Sequence, residues 1–267
     1  MIYSYKVLFC EYTEILLKSH IKTWFFFYVG NIIFFFAENK TKMIVTFSNQ
    51  KGGVGKSSLC VSLANFWSAQ GIGLQVLDVD PQHSLMKFRV QEESSDQQHK
   101  PKFEIKEFTL HKNIGKAREF IMGLKQENIH TLIDTSGSGL SELNMNIVLY
   151  SDVVIIPFQY EDYSIQATGE YATLLKNLGN SFPDLKRTCI FVPNMVNTKI
   201  GRASDRLKWD AWDASIDKVA LRSPRVPLRV CLQRRNTLYQ TDDELNCVTP
   251  CFSYITQIVM NKETKDK

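Results

Sequence analysis

The sequence predicts an α/β fold: a mostly parallel β-sheet with helices on both faces, in a single domain. Three observations carry that expectation. From residue 43 onward, short and almost wholly apolar runs alternate with longer segments of helical period. That is the pattern of strands buried on both faces and joined by helical crossovers. A glycine-rich turn, "NQKGGVGKSS" (49–58), separates the first apolar run from the first helical segment. Polar residues then recur just after the apolar runs, at the carboxyl edge where open α/β sheets hold their ligands.

The elements follow in order. "MIVTFS" (43–48) reads as a buried strand. Residues 57–71 carry Leu59, Leu63, Phe66 and Trp67 at helical spacing and stop at Gly71. "LQVLDVD" (74–80) is a second strand, the polar "QEESSDQQHKPK" (91–102) reads as a surface loop, and "FEIKEF" (103–108) is a third strand. Residues 113–128 form an amphipathic helix, and "HTLIDTSG" (130–137) a strand ending in Asp134. A helix over 140–150 leads to the strand "DVVIIPF" (152–158), a helix over 164–179, and the strand "RTCIFVPNMV" (187–196). A basic helical stretch, the segment "SPRVPLRVCL" (223–232) and a last helix over 241–260 complete the chain. In this order, residues 50–58, 78–82, 134–137 and 193–197 all fall at one edge of the sheet.

Composition narrows the class. A chain of 267 residues is long enough for one medium domain with a sizeable core. Its net charge of +4 permits a nucleic acid or an anionic surface as partner without requiring either. The six cysteines (Cys10, Cys60, Cys189, Cys231, Cys247 and Cys251) contain no C-x-x-C pair. Cys247 and Cys251 lie four apart in the last helix with no histidine nearby, so all six read as reduced thiols of a cytoplasmic protein.

Residues 1–42 do not match the rest. Twelve of them are aromatic, and "WFFFYVGNIIFFFA" (24–37) is nearly all apolar. That run is shorter than the roughly 20 residues that span a bilayer, and no small-residue cleavage site follows it. The reading is a start placed too early, with Met43 as the true first residue; an interfacial or transmembrane anchor is the alternative. The chain thus divides into an atypical segment, 1–42, and one domain, 43–267.

The glycine turn has the chemistry of a phosphate loop. The general pattern G-x-x-x-x-G-K-[ST] is met by Gly55, Lys56 and Ser57, while Gln50 stands where the first glycine belongs. Gly52, Gly53 and Gly55 permit backbone conformations that let successive N–H groups of Gly52 to Ser58, Val54 included, face phosphate oxygens ahead of a helix N-terminus. Lys56 would neutralise the β- and γ-phosphates, and the Ser57 hydroxyl would complete a magnesium shell. A lone Asp-x-Asp-Pro is more often a capped turn, and an aspartate after an apolar strand often caps the next helix. Their order downstream of this loop is what makes Asp78, Asp80 and Asp134 candidates.

The form K-G-G-x-G-K-[ST], with the extra Lys51, resembles the deviant Walker A loop of the ParA/MinD family of P-loop NTPases. The resemblance implies an ATP-dependent homodimer in which Lys51 of one subunit reaches the phosphates bound by the other, as an arginine finger does. "LQVLDVDPQHS" resembles the family's D-x-D-P-Q element, which implies that Asp80 orients the attacking water and that Asp78 lies nearer the metal. "TLIDTSG" resembles the Walker B strand, with Asp134 holding Mg2+ through water. "VVIIPFQYEDYSIQATGE" resembles the strand and helix that follow in partition ATPases, and "FVPNMVN" the strand end whose asparagine, here Asn194, contacts adenine. Two departures stand out: Thr135-Ser136-Gly137 after the Walker B aspartate, and His83-Ser84 in place of glycine-asparagine. Neither removes a charged group. His83 reads as a surface residue at a helix start.

Between Lys199 and Arg235 there are ten lysines and arginines against four aspartates, a surplus of +6. Partition ATPases bind DNA without sequence preference through this region, so the resemblance makes Arg202, Arg206, Arg222 and Arg225 candidate phosphate contacts. A solvated basic helix with pairs such as Arg206–Asp210 is the plainer reading. Trp209 and Trp212 read as packing residues. The expected function is an ATPase switch that partitions a plasmid, chromosome region or mobile element, cytoplasmic and nucleoid-associated, with ATP and Mg2+ as cofactors and a ParB-like activating protein. A MinD-like membrane-positioning ATPase and an accessory ATPase of conjugative transfer are the alternatives. The carboxyl end, "FSYITQIVMNKETKDK", reads as a core helix rather than a membrane-binding one, so membrane attachment would have to come from residues 1–42. The cysteine spacing does not supply the bridging cluster of nitrogenase iron protein relatives.

Overall fold

The computed structural model describes residues 27–29, 32–34, 42–108, 115–135, 137, 141–197, 199, 202–234 and 236–265. Before residue 42 this means two short strands, Phe27–Val29 (β1) and Ile32–Phe34 (β2), paired antiparallel. The readings of residues 1–42 as a premature start or an anchor otherwise lie outside the described residues.

The domain is a seven-stranded sheet in which every pairing is parallel. Its strands are Ile44–Phe47 (β3), Leu74–Asp78 (β4), Glu104–Glu107 (β5), His130–Asp134 (β6), Val153–Phe158 (β7), Thr188–Pro193 (β8) and Leu221–Arg222 (β9). They lie in the order β5-β4-β6-β3-β7-β8-β9. The helices are Lys56–Ala69 (α1), Ser84–Ser95 (α2), Gly115–Leu124 (α3), Glu142–Tyr150 (α4), Asp162–Ser181 (α5), Ala203–Ile216 (α6), Val230–Gln233 (α7) and Asp242–Lys265 (α8).

Alternation along each strand sends side chains to two cores. Val45, Phe47, Val76, Val153 and Ile155 pack with Trp67 of α1 and Phe252, Ile255 and Val259 of α8. On the other face, Ile44, Leu77 and Ile133 meet Ile121 and Leu124 of α3 and Ile147 of α4. Val154, Ile156 and Phe158 meet Tyr171 and Leu175 of α5. Both faces are therefore covered, which is why the central strands are apolar throughout.

Register sets the functional edge. Asp134 lies opposite both Phe47 and Asp78, so the loop after β3 and two strand-end carboxylates share one level. The β3–β7 pairing ends at Phe47↔Ile155. Pro157 thus sits where β7 has no β3 neighbour to serve, and its missing N–H costs no ladder bond on that side.

Two segments differ from the sequence reading. Residues 91–95, expected in a loop, belong to α2. That helix buries only Leu85 and Arg89, so it shows no apolar period. It is held instead by polar contacts: Arg89 donates to the carbonyls of Phe103 and Thr237 and to Thr237 Oγ1, and Glu92 accepts from the Thr237 backbone. The segment after α6 contains the edge strand β9 and a bridge from Val196 to Pro227, which close the sheet beyond β8.

Candidate functional site

The β3–α1 loop is shaped by glycine where glycine is required. Gly53 and Gly55 have φ of 77° and 91°, a region L-residues rarely enter. A Cβ on Gly55 would lie 2.3 Å from Asn194 Nδ2. Asn194 belongs to the turn after β8, and its amide donates to the Val54 carbonyl at 2.8 Å. From the end of β7, Gln159 Nε2 donates to the Gly53 carbonyl at 3.4 Å. The loop is thus clamped between two strand ends on one side of β3.

Lys56 opens α1 but is buried, and its Nζ donates back to the Lys51 carbonyl at 3.2 Å. Burial lowers its pKa, with Asp134 and Asp80 opposing that shift. Asp134 is fully buried at the end of β6, and burial pushes its carboxyl up to about 7, against a hydrogen bond from Ser57. Its Oδ1 has no hydrogen-bond partner. A buried acceptor left open beside a hydroxyl and an ammonium is a costly arrangement, and it suits a cation. Among the described residues, no group of three or more His, Cys, Asp and Glu could hold a metal by itself. Magnesium, which takes one or two carboxylates plus substrate phosphates and water, fits such a donor set.

The other predicted residues have definite places. Asp78 is fully buried and accepts from the backbone N–H groups of Asp80, Leu85 and Met86 at 3.2, 2.9 and 3.3 Å, capping α2. Burial raises its pKa, against those three bonds. Asp80 is half-buried at the same edge and accepts from Gln82 N–H at 2.8 Å in a tight turn. His83 is the N-cap of α2, at φ 48°. Gly52 is exposed and Lys51 half-buried. Ser58 and Asn194 line a small pocket of 40 Å³ with Leu59, Val226 and Leu232. Thr135 donates through Oγ1 to the Phe47 carbonyl at 2.8 Å, tying β6 to the loop's root; Ser136 lies outside the described residues.

The four arginines separate into two pairs. Arg225 reaches Asp213 and Asp210, each at 2.7 Å, and donates to the Tyr160 hydroxyl at 2.9 Å. Arg222 pairs with Asp217 at 2.8 Å and Asp213 at 3.2 Å. Their charges are spent within the domain. Arg202 and Arg206 stay exposed at the start of α6. Trp209 stacks on Tyr160 with centroids 5.2 Å apart, the packing role expected of it, whereas Trp212 is exposed. Tyr160, Trp209 and Trp212 wall a cleft of 560 Å³ beside Gln159 and Met195.

Sequence reasoning missed Asn49, Gln159 and Thr168. Asn49 is wholly buried, and its amide donates to Pro157 O at 2.8 Å and Thr168 Oγ1 at 3.0 Å. A polar residue between an apolar strand and a glycine loop was the available signal for Asn49. Gln159 and Thr168 have none, since their roles depend on how β7 and α5 pack.

Comparison with known proteins bears on the family and the fold. Residues 45–220 match the family model described as the CobQ/CobB/MinD/ParA nucleotide binding domain. An uncharacterized protein of Pseudomonas putida is 25% identical over 175 residues, which is 54% of this chain and 66% of that protein. The fold matches a Borrelia burgdorferi protein assigned to plasmid partition and solved with AMPPNP, with a TM-score of 0.63 at 17% identity over 83% of this chain and 99% of that one. It also matches the MinD cell division protein of Aquifex aeolicus, with a TM-score of 0.60 at 14% identity over 81% of this chain and 96% of that one.

Proposed function

The chain belongs to the CobQ/CobB/MinD/ParA nucleotide-binding family, and from that premise we propose that it is an ATP-hydrolysing dimeric switch that positions DNA. The observation that carries the reading is the buried Asp134 carboxylate, open at Oδ1 and bonded to Ser57, beneath a glycine loop with a buried lysine. Those groups suit a metal-bound triphosphate, which would give the Asp134 Oδ1 the partner it lacks.

Each residue then has a task. Backbone N–H groups of Gly52 to Ser58 cradle phosphate oxygens at the start of α1. Lys56 is drawn back to the Lys51 carbonyl, and on turning to phosphate it would exchange one acceptor for a charged one. Ser57 and Asp134 would hold Mg2+, whose chemistry is to neutralise charge on the transferring phosphoryl group. Asp80 orients the attacking water from the β4 edge. Asp78 fixes that edge by capping α2. Lys51 supplies a cation to the site of the second subunit, so turnover requires a homodimer. Asn194, bound to the loop and lining the small pocket, faces the adenine end.

ATP-driven dimerisation would control what the protein binds. Non-specific duplex DNA is supported by the exposed Arg202 and Arg206 on α6, with Lys199, Lys208 and Lys218 exposed nearby. A ParB-like protein would stimulate hydrolysis, and the protein would be cytoplasmic and nucleoid-associated. Among the described residues, no helix is long and apolar enough to cross a membrane.

The test is binding to non-specific duplex DNA with ATP and magnesium, with ADP, and without nucleotide, at two salt concentrations. Binding that needs ATP, weakens with salt and disappears in Lys56→Ala is expected. Dimerisation with ATP but no DNA binding would overturn the DNA reading and leave a membrane or protein cargo.

A further inference from the structure

Three consecutive residues ahead of Lys51 are tied to one helix. Ser48 Oγ shares a 2.7 Å hydrogen bond with the Tyr171 hydroxyl. Asn49 Nδ2 donates to Thr168 Oγ1 at 3.0 Å, and Gln50 Nε2 donates to the Ala167 carbonyl at 2.9 Å and to Glu170 Oε2 at 3.2 Å. Residues 167, 168, 170 and 171 occupy one face of α5, at the spacing that brings helix neighbours together. Ser48, Asn49, Thr168 and Tyr171 are all buried, so water cannot replace a lost partner.

Asn49 carries this anchorage forward. Its Oδ1 accepts from the Lys51 N–H at 3.2 Å, while Lys56 Nζ donates to the Lys51 carbonyl at 3.2 Å. Once Lys56 turns to phosphate, the Asn49 bond is what still holds the Lys51 backbone, and no described residue accepts from the Lys51 ammonium. The amide orientation of Asn49 is set by its partners: the Pro157 carbonyl only accepts and the Lys51 N–H only donates. Two donors and one acceptor at this reach are what asparagine supplies, and neither aspartate nor serine can.

We propose that Asn49 and Thr168 are positioning residues for Lys51. Helix α5 fixes the Lys51 peptide through them, so that the ammonium is presented outward to a second copy of the chain. This rests on the reading of Lys51 as a cation acting across the dimer. The anchorage does not touch the phosphate-facing segment 52–57, so losing it should impair dimerisation and turnover while sparing nucleotide binding.

The test uses the full chain and three readouts: kcat for ATP hydrolysis, ATP-dependent dimerisation by analytical ultracentrifugation, and affinity for a fluorescent ATP analogue. Thr168→Val keeps the shape and removes the acceptor. It should lower kcat and weaken the dimer about fivefold, the effect of one buried hydrogen bond, with analogue affinity within about twofold. Thr168→Ser should restore all three. If Thr168→Val does not fold, Gln50→Ala at a half-buried position carries the test and should move the same readouts in the same direction. Unchanged kcat and dimerisation, or analogue affinity falling in the same proportion, would overturn the positioning role. Lys51→Ala separates the two ideas. A normal rate there removes the reading of Lys51 and this proposal with it. A lowered rate beside a normal Thr168→Val removes the positioning alone.

Discussion

Gly55→Ala is the sharpest probe of how the loop is held. Two costs add. Alanine at φ 91° carries the penalty of a left-handed backbone, about 1–2 kcal/mol. The new Cβ would also sit 2.3 Å from Asn194 Nδ2 and 3.2 Å from the Met195 methyl. Asn194 must then swing away and release the Val54 carbonyl, now bonded at 2.8 Å, for about 1 kcal/mol more. The sum is about 2–3 kcal/mol, a shift of about 1 M in the urea midpoint at an ordinary slope. Urea unfolding followed by circular dichroism measures it. Asn194→Ala removes the obstruction but not the backbone penalty, so the double variant should be about 1 kcal/mol less destabilised than the two singles summed. A Gly55→Ala midpoint within about 0.5 kcal/mol of wild type, or strict additivity in the double variant, would refute the account.

Other expectations concern charge. Asp80→Ala should accumulate ATP-bound dimers on a sizing column while losing phosphate release; normal hydrolysis would show that Asp80 does not orient water. Arg225→Ala strips the Tyr160 hydroxyl of its cation and leaves the buried Asp213 with Arg222 alone, at 3.2 Å, and should cost about 1–3 kcal/mol by thermal or urea melting. Arg202→Ala, exposed on α6, should leave stability within about 0.5 kcal/mol yet reduce the salt dependence of DNA binding. Equal destabilisation by the two would contradict the division of the basic segment. Burial pushes the Cys251 thiol up to about 12 from 9.0. Below pH 9 the thiol is protonated in both folded and unfolded chains, and its contribution is intact. Between 9 and 12 only the unfolded chain ionises, so stability falls as pH rises through that window, by about 1.4 kcal/mol per pH unit. Cys251→Ala should flatten that part of the urea-midpoint profile; an unchanged slope would place the titration elsewhere.

The polar helix α2 shows where local pattern stops being informative. Its inward residues are Leu85 and the charged Arg89, and its partners, Phe103 and Thr237, are remote in sequence. No periodicity could announce it. The basic segment makes the same point with charge. A surplus counted along the chain does not reveal that Asp210, Asp213 and Asp217 neutralise Arg222 and Arg225. That depends on α6 packing beside β9. Cys247 and Cys251 were placed correctly in the last helix, because an apolar stripe that faces a core is a local signal.

What the sequence determined by itself was the alternation of strands and helices apart from α2 and β9, the glycine loop with its two lysines, and the strand-end position of Asp134. These follow from short-range rules: apolar runs make buried strands, and only glycine takes the backbone angles the loop needs. What the tertiary structure alone decided was which groups meet. Parallel register set Asp78 and Asp134 level with the loop's root, and the turn after β8 brought Asn194 against Gly55. The packing of α5 brought Thr168 and Tyr171 beneath Ser48 and Asn49. Those contacts join residues about 55 to 140 positions apart, and their energies depend on burial, which only the assembled sheet and its helices create.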